Sequence, residues 1–446
     1  MNELTLHNEI AVLGAVLIDC KALEVARRHL TAADFAGRLA GAAFAAACEL
    51  YDEGGVVDPI TIAAGMERRL GENCYQWIAE AMDLTPTAAN VEAYALLVKD
   101  EANRRKLQAI AESTNRRIFE GGDWQAAADS MSAELNAIRD DAAGVMDSDE
   151  VAKRWLSDFV QTRQNPLHAL CPTGYASLDK QLGGGLFKQG LYIVGARPGM
   201  GKTTLGVNLA EVIAKAGRPS LFISLEMSET QIMSKRISIA GGVGYTILQN
   251  GSTTDTAAAV AVQTVRELAK NPVYTLAKRV SVPEIARAAR QVENLAVIFV
   301  DYLGLIECTE EMAEKPRYEQ MTEISAQLKT LAKRLNLPVV VLSQLNRENT
   351  SAKNKRPQLQ NLRDSGAIEQ DADAVILLHR EDYYKNKSAD EYEKPEYETI
   401  ELIVAKNRHG ETGTVKMTWC GRTGAIRDLK RAQKEEAGES GDELPF

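Results

Sequence analysis

The chain has 446 residues, of which 45% are hydrophobic and 26% are charged, and its formal net charge is −10. This composition is typical of a globular protein with two or three domains, because one core cannot span so long a chain. Its apolar runs, such as Leu191 to Val194 and Leu295 to Val300, are far shorter than the roughly 20 residues that cross a bilayer. We therefore expect neither a membrane-spanning segment nor a membrane partner.

The first residues and the cysteines indicate where the protein works. Met1 to Leu4 lacks the basic flank and the apolar stretch of a signal peptide, which predicts a cytoplasmic protein. The six cysteines are scattered without a Cys-x-x-Cys pair, a pattern typical of free thiols in a reducing compartment. The acidic net charge argues against a protein that coats nucleic acid with its whole surface, but it is compatible with a local basic channel.

Residues 1 to about 150 are rich in Ala, Leu and Glu, with apolar positions at helical spacing. Asp58 to Thr61 and Leu84 to Thr87 are predicted helix starts, since each has a capping residue near a proline. The stretch from Arg104 to Arg139 predicts two antiparallel helices that are broken at Gly121-Gly122. This part of the chain is therefore predicted to be all-helical.

A separate helix is predicted after the acidic stretch Asp147 to Glu150 and before Asn165-Pro166. Its apolar side chains fall on one stripe, and they are Val151, Trp155, Leu156, Phe159 and Val160. Two interpretations are open at this point. Either the stripe packs on its own domain, or it docks on another subunit.

From Thr173 onward the pattern changes to alternating strands and helices. Eight runs are candidate strands: Leu191 to Ala196, Ser220 to Glu226, Val273 to Ala277, Leu295 to Asp301, Pro338 to Gln344, Ala374 to Leu378, Thr399 to Lys406 and Thr414 to Cys420. Continuous apolar runs flanked by helices predict a mostly parallel sheet with helices on both faces. The last stretch, Gln433 to Phe446, is charged and rich in small residues, which predicts a disordered acidic tail.

The stretch from Gly195 to Thr204 follows a predicted strand and opens a predicted helix. In such a loop the backbone N–H groups cradle phosphates, a lysine (here Lys202) neutralises them, and a hydroxyl (here Thr203) is a ligand for Mg²⁺. The usual pattern has its first glycine where this chain has Ala196. A plain glycine-rich turn is the competing interpretation. The predicted nucleotide-binding residues are Ala196, Arg197, Pro198, Gly199, Met200, Gly201, Lys202, Thr203 and Thr204.

Polar residues end three further predicted strands. Asp301 ends a buried strand, where a carboxylate would hold Mg²⁺ through water. Glu226 is a candidate to activate the water that attacks the terminal phosphate, and the amide of Gln344 is a candidate to sense that phosphate. Each residue by itself is also explained as a structural cap. Their convergence beside one phosphate-binding loop predicts a site that hydrolyses ATP.

The stretches that carry these residues resemble, in chain order, the motif set of DnaB-type helicases. In the second half they are the phosphate-binding loop and residues 224–228, 300–303, 342–347 and 362–373. Near the start, Ile10 to Asp19, Asp34-Phe35 and Leu50-Tyr51 before Val57-Asp58 resemble the helical N-terminal domain of the same family. The resemblance covers nearly the whole chain.

The resemblance implies an α/β RecA-like motor domain preceded by an all-α N-terminal domain. The expected divisions are a helical N-terminal domain (1–103), a helical hairpin (104–146), a linker with a docking helix (147–170), a RecA-like ATPase domain (171–432) and the tail (433–446). The implied function is that of a replicative DNA helicase, a homohexameric ring that hydrolyses ATP with Mg²⁺. Such a ring moves 5′ to 3′ on single-stranded DNA, unwinds the duplex at the replication fork, and works with a primase and a helicase loader.

The resemblance also implies residue roles. Glu226 would be the catalytic base, Asp301 the magnesium carboxylate and Gln344 the sensor. Lys406 and Arg408 match the family's paired basic residues that reach the neighbouring subunit's ATP. A charge supplied across an interface stabilises the transition state of phosphoryl transfer, and head-to-tail interfaces of this kind close into rings. Without the other motifs, a basic pair that faces solvent would be the simpler interpretation.

DNA contacts are expected on two segments. The first, Arg347 to Pro357, has no apolar periodicity. This is typical of a loop that follows the phosphates of DNA. Its basic residues are Arg347, Lys353, Lys355 and Arg356. The second is a predicted turn from Arg363 to Gly366, in which Arg363 and Gly366 match family positions that hold the DNA backbone. Asp364 is a further candidate, although many relatives have Glu at its position. Aromatic residues are sparse in both segments, which predicts little sequence preference.

Two other function classes share parts of this pattern. A RecA-like recombinase or regulatory ATPase would have the motor motifs, but not the helical N-terminal stretch or the motif at 362–373. A non-catalytic assembly factor that resembles the helicase would be expected to lack Lys202, Glu226 or Arg408, and all three are present.

The last residues, Leu444-Pro445-Phe446, follow an acidic stretch and resemble the tip of bacterial single-strand-binding proteins. The resemblance implies that the tail binds partners that read such a tip. The alternative is a solubilising tail with a chance ending. Neither a bacterial chromosome nor a phage genome is indicated as the source.

Overall fold

The computed structural model describes residues 3–141, 148–308, 312, 314–345, 356–385 and 396–429. The chain forms two compact units, Met1–Leu156 and Ser157–Phe446, and the division falls inside one helix, Ser148–Gln164. The first unit is helical, and the second is built on a nine-stranded sheet. Among the described residues, no helix has the length and apolar character that crossing a membrane requires.

The described helices of the first unit are α1 (Glu3–Ile18), α2 (Lys21–His29), α3 (Arg38–Asp52), α4 (Pro59–Leu70), α5 (Tyr75–Asp83), α6 (Val91–Phe119) and α7 (Trp124–Asp141). Small side chains let these helices pack closely. A Cβ added to Gly65 of α4 would lie 2.9 Å from the Cβ of Ala46 on α3. Phe44 of α3 and Ile62 of α4 are buried in the hydrophobic core of this unit. The alanine-rich sequence therefore forms a tight helical bundle.

One of the two predicted helix starts is confirmed and the other is wrong. Asp58 caps α4, because its carboxylate accepts hydrogen bonds from two N–H groups in the first turn. Thr85 starts no helix; it is buried, and its hydroxyl donates to the carbonyl oxygen of Ala81 at the end of α5. A Cβ added to Gly14 of α1 would lie 1.9 Å from the Thr85 Oγ1. Close packing against α1 thus fixes this segment.

The predicted break at Gly121-Gly122 is present. Helix α6 ends at Phe119, and Gly121 has a φ of 78°, a conformation that residues with a side chain rarely adopt. The first helix of the hairpin, however, begins at Val91 and not near Arg104. The division expected between residues 103 and 104 therefore lies within one continuous helix.

Helix α8 (Ser148–Gln164) ends where the sequence indicates, and the Asn165 side chain then caps the following turn by accepting a hydrogen bond from the Leu167 N–H. None of its residues is buried. Trp155 is 60% exposed and Phe159 is 49% exposed. The docking of this stripe on another subunit stays a prediction.

The first two strands of the second unit, β1 (Leu170–Cys171) and β2 (Leu186–Phe187), form an antiparallel pair. The large sheet has the order β11-β10-β9-β8-β3-β7-β6-β4-β5. Its strands are β3 (Leu191–Ala196), β4 (Ser220–Ser224), β5 (Val273–Leu276), β6 (Val297–Asp301), β7 (Val339–Gln344), β8 (Ala374–His379), β9 (Tyr397–Asn407), β10 (Gly413–Cys420) and β11 (Ile426–Asp428).

The neighbouring strands β8, β3, β7, β6, β4 and β5 are parallel. Strands β9, β10 and β11 are added antiparallel at one side of the sheet. The predicted class, a mostly parallel α/β sheet after an all-α part, is confirmed. All eight predicted strands are present with small shifts at their ends. Strands β1, β2 and β11 were not predicted, because runs of two or three residues have no recognisable hydrophobic period.

Helices cover both faces of the sheet. Alternate residues of β3 enter different cores: Tyr192 and Val194 lie on one face, and Leu191 and Ile193 lie on the other. The described helices of this unit are α9 (Ala176–Leu182), α10 (Lys202–Lys215), α11 (Glu229–Gly241), α12 (Tyr245–Asn250), α13 (Asp255–Leu268), α14 (Val282–Arg290), α15 (Arg317–Leu335), α16 (Gly366–Asp371) and α17 (Asp382–Lys385).

Buried charges tie α6 to the rest of the first unit. Asp34 has no exposed surface, and its carboxylate lies 3.0 Å from the Nζ atoms of Lys99 and Lys106. It also accepts a hydrogen bond of 2.9 Å from the Thr31 N–H. Burial by itself would raise the pKa of Asp34, but these donors outweigh burial and hold the pKa at about 2.

We predict that Asp34→Asn lowers the free energy of unfolding by about 2 to 3 kcal/mol at neutral pH, because two lysines lose their buried counter-charge. The folded-state pKa of Asp34 lies below its ordinary value of 3.8. Its contribution is therefore present above about pH 4 and is lost as the pH falls towards 2. Urea unfolding followed by circular dichroism at pH 7 and at pH 3 measures both effects.

Asp100→Asn is the matched control, because it makes the same change in the exposed ion pair with Arg104. Its effect should stay below about 0.5 kcal/mol. An equal loss in the two variants would contradict the explanation from burial.

Candidate functional site

Strand register brings the predicted site residues to one edge of the sheet. Ala196 lies opposite Gln344 where β3 pairs with β7, and Ser224 lies opposite Asp301 where β4 pairs with β6. The carboxyl ends of parallel strands meet at a common edge. The phosphate-binding loop, Asp301, Gln344 and the turn that carries Glu226 therefore come together there.

Two glycines shape the loop between β3 and α10. Gly199 has a φ of 81° and Gly201 a φ of 97°. A Cβ added to Gly199 would lie 2.4 Å from the hydroxyl of Tyr383, and one added to Gly201 would lie 2.5 Å from the Trp419 ring. Both positions thus require glycine for conformation and for space. The unpaired N–H groups at the start of α10 complete a cradle that suits an anion.

The alanine in place of the first glycine has a structural explanation. Ala196 is the last residue of β3 and is 1% exposed, so it has the extended backbone that any residue adopts. A Cβ added to the preceding Gly195 would lie 2.8 Å from a methyl group of Leu377. Packing therefore requires glycine at 195, and nothing requires it at 196. Of the other loop residues, Arg197 and Met200 are buried and Pro198 is exposed.

Lys202 and Asp301 form the charged centre of this edge. The Lys202 Nζ lies 3.0 Å from the Asp301 Oδ1 and 3.9 Å from the centre of the Tyr302 ring. Burial lowers the pKa of Lys202, and the negative charges of Asp301 and Glu226 oppose that fall. The lysine is thus held beside two carboxylates at the start of α10.

The carboxylate oxygens of Asp301 can accept further hydrogen bonds. Asp301 is completely buried, and apart from the ion pair of Oδ1 with Lys202 at 3.0 Å, its two carboxylate oxygens have no hydrogen-bond donor in the described part of the chain. Buried carboxylate oxygens without aligned donors suit a hydrated divalent cation. Thr203, the second residue of α10, follows the lysine at the same place. These residues therefore fit a bound Mg²⁺.

Glu226 and Gln344 are exposed at this edge. Strand β4 ends at Ser224, two residues short of the predicted end, so Glu226 stands on a turn. The Ser224 hydroxyl holds this turn by accepting from the Met227 N–H and donating to the Met227 carbonyl. An exposed carboxylate on a fixed turn, beside the charged centre, can accept a proton from water.

Two further residues that were not predicted from the sequence, Lys235 and Arg380, lie at the same edge. Lys235 of α11 is close enough to Asp301 for that charge to oppose the burial that lowers its pKa, and its Nζ lies 4.4 Å from the Tyr245 ring centre. The Arg380 guanidinium lies 4.5 Å from the ring centre of Trp419, the residue that packs on Gly201. No motif marks these side chains, because only the packing of their helices and strands directs them to the loop.

Lys406 and Arg408 lie at the opposite edge of the sheet. β9 is antiparallel to β8, and Asn407 is paired with Ala374 at the beginning of β8. The phosphate-binding loop follows the far end of β3, a strand of six residues, which is about 20 Å long. Lys406 and Arg408 thus cannot reach the phosphate-binding loop of their own subunit.

The predicted DNA-binding residues are only partly described. Arg347, Lys353 and Lys355 lie outside the described residues, as does the tail with Leu444-Pro445-Phe446. Arg356 forms a bidentate ion pair with Glu401, with both distances at 2.8 Å. Its guanidinium is thus engaged within the protein, so a role on DNA would compete with this pair.

Arg363, Asp364 and Ser365 belong to a 3-10 helix, Leu359–Ser365, and Gly366 begins α16. The sequence predicts a turn at these residues. Their backbone is therefore more regular than expected. Their side chains lie outside the part of the chain that the structure describes.

Comparison with known proteins identifies the family. The DnaB-like helicase C-terminal domain matches residues 171–428, and the DnaB-like helicase N-terminal domain matches residues 2–100. The chain belongs to the DnaB-like helicase family. The family resemblance that the sequence motifs indicate is thereby confirmed.

Relatives in this family match along almost their whole length. The replicative DNA helicase DnaB of Treponema pallidum is 35% identical over 435 residues, which cover 92% of each chain. The DnaB of Geobacillus stearothermophilus is 32% identical and covers 96% of this chain and 95% of its own. A solved structure of a DnaB-like replicative helicase, described with its interactions with primase, has a TM-score of 0.75 at 25% identity and covers 96% of this chain.

We predict that Glu226→Gln leaves ATP binding intact and slows hydrolysis by about 10² to 10⁴-fold, because an amide cannot accept the proton of the attacking water. Single-turnover hydrolysis and binding of a fluorescent ATP analogue separate the two quantities. Glu229→Gln, the same change at an exposed position in the first turn of α11, is the control and should hydrolyse at the normal rate. Near-normal turnover by Glu226→Gln would contradict its role as the base.

Proposed function

We propose that this protein is a replicative DNA helicase: a homohexameric ring that hydrolyses ATP, moves 5′ to 3′ on single-stranded DNA and unwinds the duplex at the replication fork. The observation that carries the proposal is the separation of two charge groups on one sheet. The phosphate-binding loop lies at one edge, and Lys406 and Arg408 lie at the other. A nucleotide site is then complete only between two subunits.

The nucleotide is held mainly by the loop from Ala196 to Thr204. Its N–H groups and the start of α10 bind the phosphates, and Lys202 neutralises their charge. Thr203 and Asp301 would hold Mg²⁺, which lowers the charge of the phosphates and orients them. The support for these roles is the glycine-dependent cradle and the spare acceptor atoms of the buried Asp301.

Hydrolysis needs a base, a sensor and a transition-state cation. Glu226 accepts a proton from the attacking water, and Gln344 at the neighbouring strand end responds to the terminal phosphate. Lys406 and Arg408 of the adjacent subunit stabilise the charge that develops during transfer. Because this last contribution comes from the neighbour, hydrolysis reports that the interface is formed.

Single-stranded DNA would be bound through its phosphates, which gives little dependence on base sequence. The candidate segments are the basic stretch from Arg347 to Lys355 and the short helical segment with Arg363, Asp364 and Gly366. In such a ring these segments would face the centre. Arg356 is a weaker candidate, since Glu401 already holds its guanidinium.

The partners follow from the family. A primase is a proposed partner because a structure similar to this chain is described with its interactions with primase. We also propose a helicase loader as a partner and a cytoplasmic location. Two further proposals are that the α8 stripe docks on the next subunit, and that partners of single-strand-binding proteins recognise the tip Leu444-Pro445-Phe446.

Two alternatives are less well supported. A recombinase or a regulatory ATPase would not account for the match of residues 2–100 to the helicase N-terminal domain. A non-catalytic assembly factor would have no reason to retain Lys202, Glu226 and Arg408 together.

Strand displacement on forked DNA tests the proposed function. We predict ATP-dependent unwinding of a fork with a free 5′ tail and none of a duplex with only a 3′ tail. Lys202→Ala should abolish the activity because the phosphates lose a fixed charge, whereas Lys215→Ala, at the exposed end of the same helix, should retain it. Assembled rings that hydrolyse ATP without displacing a strand would favour the regulatory ATPase.

Mixed rings test action across the interface. Arg408→Ala and Lys202→Ala should each be inactive alone. We predict that equal mixing restores up to about a quarter of the wild-type ATPase rate, because random assortment joins an intact loop to an intact Arg408 at about one interface in four. Mass measurement must show mixed hexamers. No recovery in such hexamers would contradict a role in trans.

A further inference from the structure

Lys406 and Arg408 have partners within their own subunit. The Lys406 Nζ donates hydrogen bonds to the carbonyl oxygens of Glu369 and Gln370, at 2.5 and 3.2 Å, and an Arg408 Nη2 donates to the Gln370 carbonyl at 2.5 Å. These carbonyls belong to the last turn of α16 (Gly366–Asp371). The end of a helix exposes carbonyl groups that lack partners in the helix, and it carries partial negative charge.

A carboxylate completes this arrangement. Asp373 Oδ1 lies 3.4 Å from an Arg408 Nη1, and the Arg408 backbone N–H donates to the Asp373 carbonyl at 2.7 Å. The other oxygen, Oδ2, accepts from the Leu191 N–H at 2.7 Å and from the Lys329 Nζ at 2.5 Å. Asp373 is thus shared between Lys329 and Arg408, and Lys329 has the closer contact.

The ion pair between Arg408 and Asp373 is the weakest of these contacts. The Arg408 side chain is 47% exposed, and the carboxylate contact is longer than an ideal charged hydrogen bond. Burial lowers the pKa of Lys406, and the positive charge of Arg408 lowers it further. Two positive charges, those of Lys406 and Arg408, therefore lie close together at one helix end. A phosphate is a stronger partner for both of them.

We propose that the end of α16, with Asp373, is a seat for Lys406 and Arg408 that competes with the neighbouring subunit's nucleotide. The two cations occupy the seat when the adjacent site is empty and leave it when ATP binds there. This inference rests on the proposed role of the pair in trans. It adds that each subunit restrains its own pair.

The seat also connects the pair to a candidate DNA segment. The 3-10 helix Leu359–Ser365, which contains Arg363, runs into α16 without an intervening residue. When the two cations leave, the last turn of α16 loses its bound positive charge. The nucleotide state of one interface thereby reaches the segment with Arg363, and by reciprocity DNA bound there changes the affinity for ATP.

Two substitutions with opposite expected signs test the seat. Asp373→Asn removes the charge that holds Arg408 but keeps an oxygen for the Leu191 N–H. It should lower the ATP concentration for half-maximal hydrolysis without DNA by about fivefold, the size of one partly exposed charged hydrogen bond. Lys329→Met leaves the whole charge of Asp373 to Arg408 and should raise that concentration by about the same factor. Lys329→Arg is the matched control, which should behave like the wild type.

If Asp373 and Lys329 had only a structural role, both substitutions would shift the half-saturating ATP concentration in the same direction. That result would overturn the proposed seat. If Asp373→Asn does not assemble into hexamers, Lys329→Met against Lys329→Arg decides, and an unchanged or lowered half-saturating ATP concentration in Lys329→Met overturns the proposal. The ratio of single-stranded DNA Kd values with and without a non-hydrolysable ATP analogue should move closer to one in Asp373→Asn. An unchanged ratio would overturn the connection to DNA.

The mixed rings of Arg408→Ala and Lys202→Ala keep the two proposals apart. No recovery there means that the pair does not act in trans, so the proposed function fails at that step. Recovery there, together with shifts of the same sign in Asp373→Asn and Lys329→Met, means that the pair acts in trans without a seat.

Discussion

Strand direction in the second unit determines where its chemistry lies. The neighbouring strands β8, β3, β7, β6, β4 and β5 are parallel. The strand ends that carry the phosphate-binding loop, Asp301 and Gln344 therefore share one edge. Between β8 and β9 the direction reverses, and the end of β9 takes Arg408 to the other edge. A subunit built in this way has the proposed nucleotide site on one side and the cations Lys406 and Arg408 on the other. Head-to-tail assembly into a ring is the arrangement that joins them.

Strand β3 connects the two edges of the sheet. Leu191 at the start of β3 exchanges hydrogen bonds with Asp373, through the N–H to the carboxylate and through the carbonyl to the backbone N–H. The other end of β3 passes into the loop that packs on Trp419 and Tyr383. A rigid strand thus connects the proposed nucleotide site of a subunit with the cations that are proposed to act on its neighbour.

Charge burial is used differently in the two units. In the first unit, Asp34 is buried with Lys99, Lys106 and a backbone N–H, so its charge is fully compensated and serves stability. In the second unit, Asp301 is equally buried but lacks aligned donors among the described residues. Its ion pair with Lys202 leaves the carboxylate oxygens short of hydrogen-bond donors, which costs stability, and a bound cation would offset that cost. The contrast separates a structural carboxylate from one that suits a ligand.

The sequence by itself determined the parts that depend on local spacing: the alternation that makes a mostly parallel sheet, the Asp58 cap, the break at Gly121, and the loop before Lys202. Local patterns also set the order of the motifs, and so the family. Only the tertiary structure decided that Thr85 packs under Gly14, that Glu401 holds Arg356, and that Lys235 lies near Asp301. It also decided that Arg408 rests on its own α16. These contacts join residues far apart in the chain, and their partners are set by strand order and helix packing, which no local period encodes.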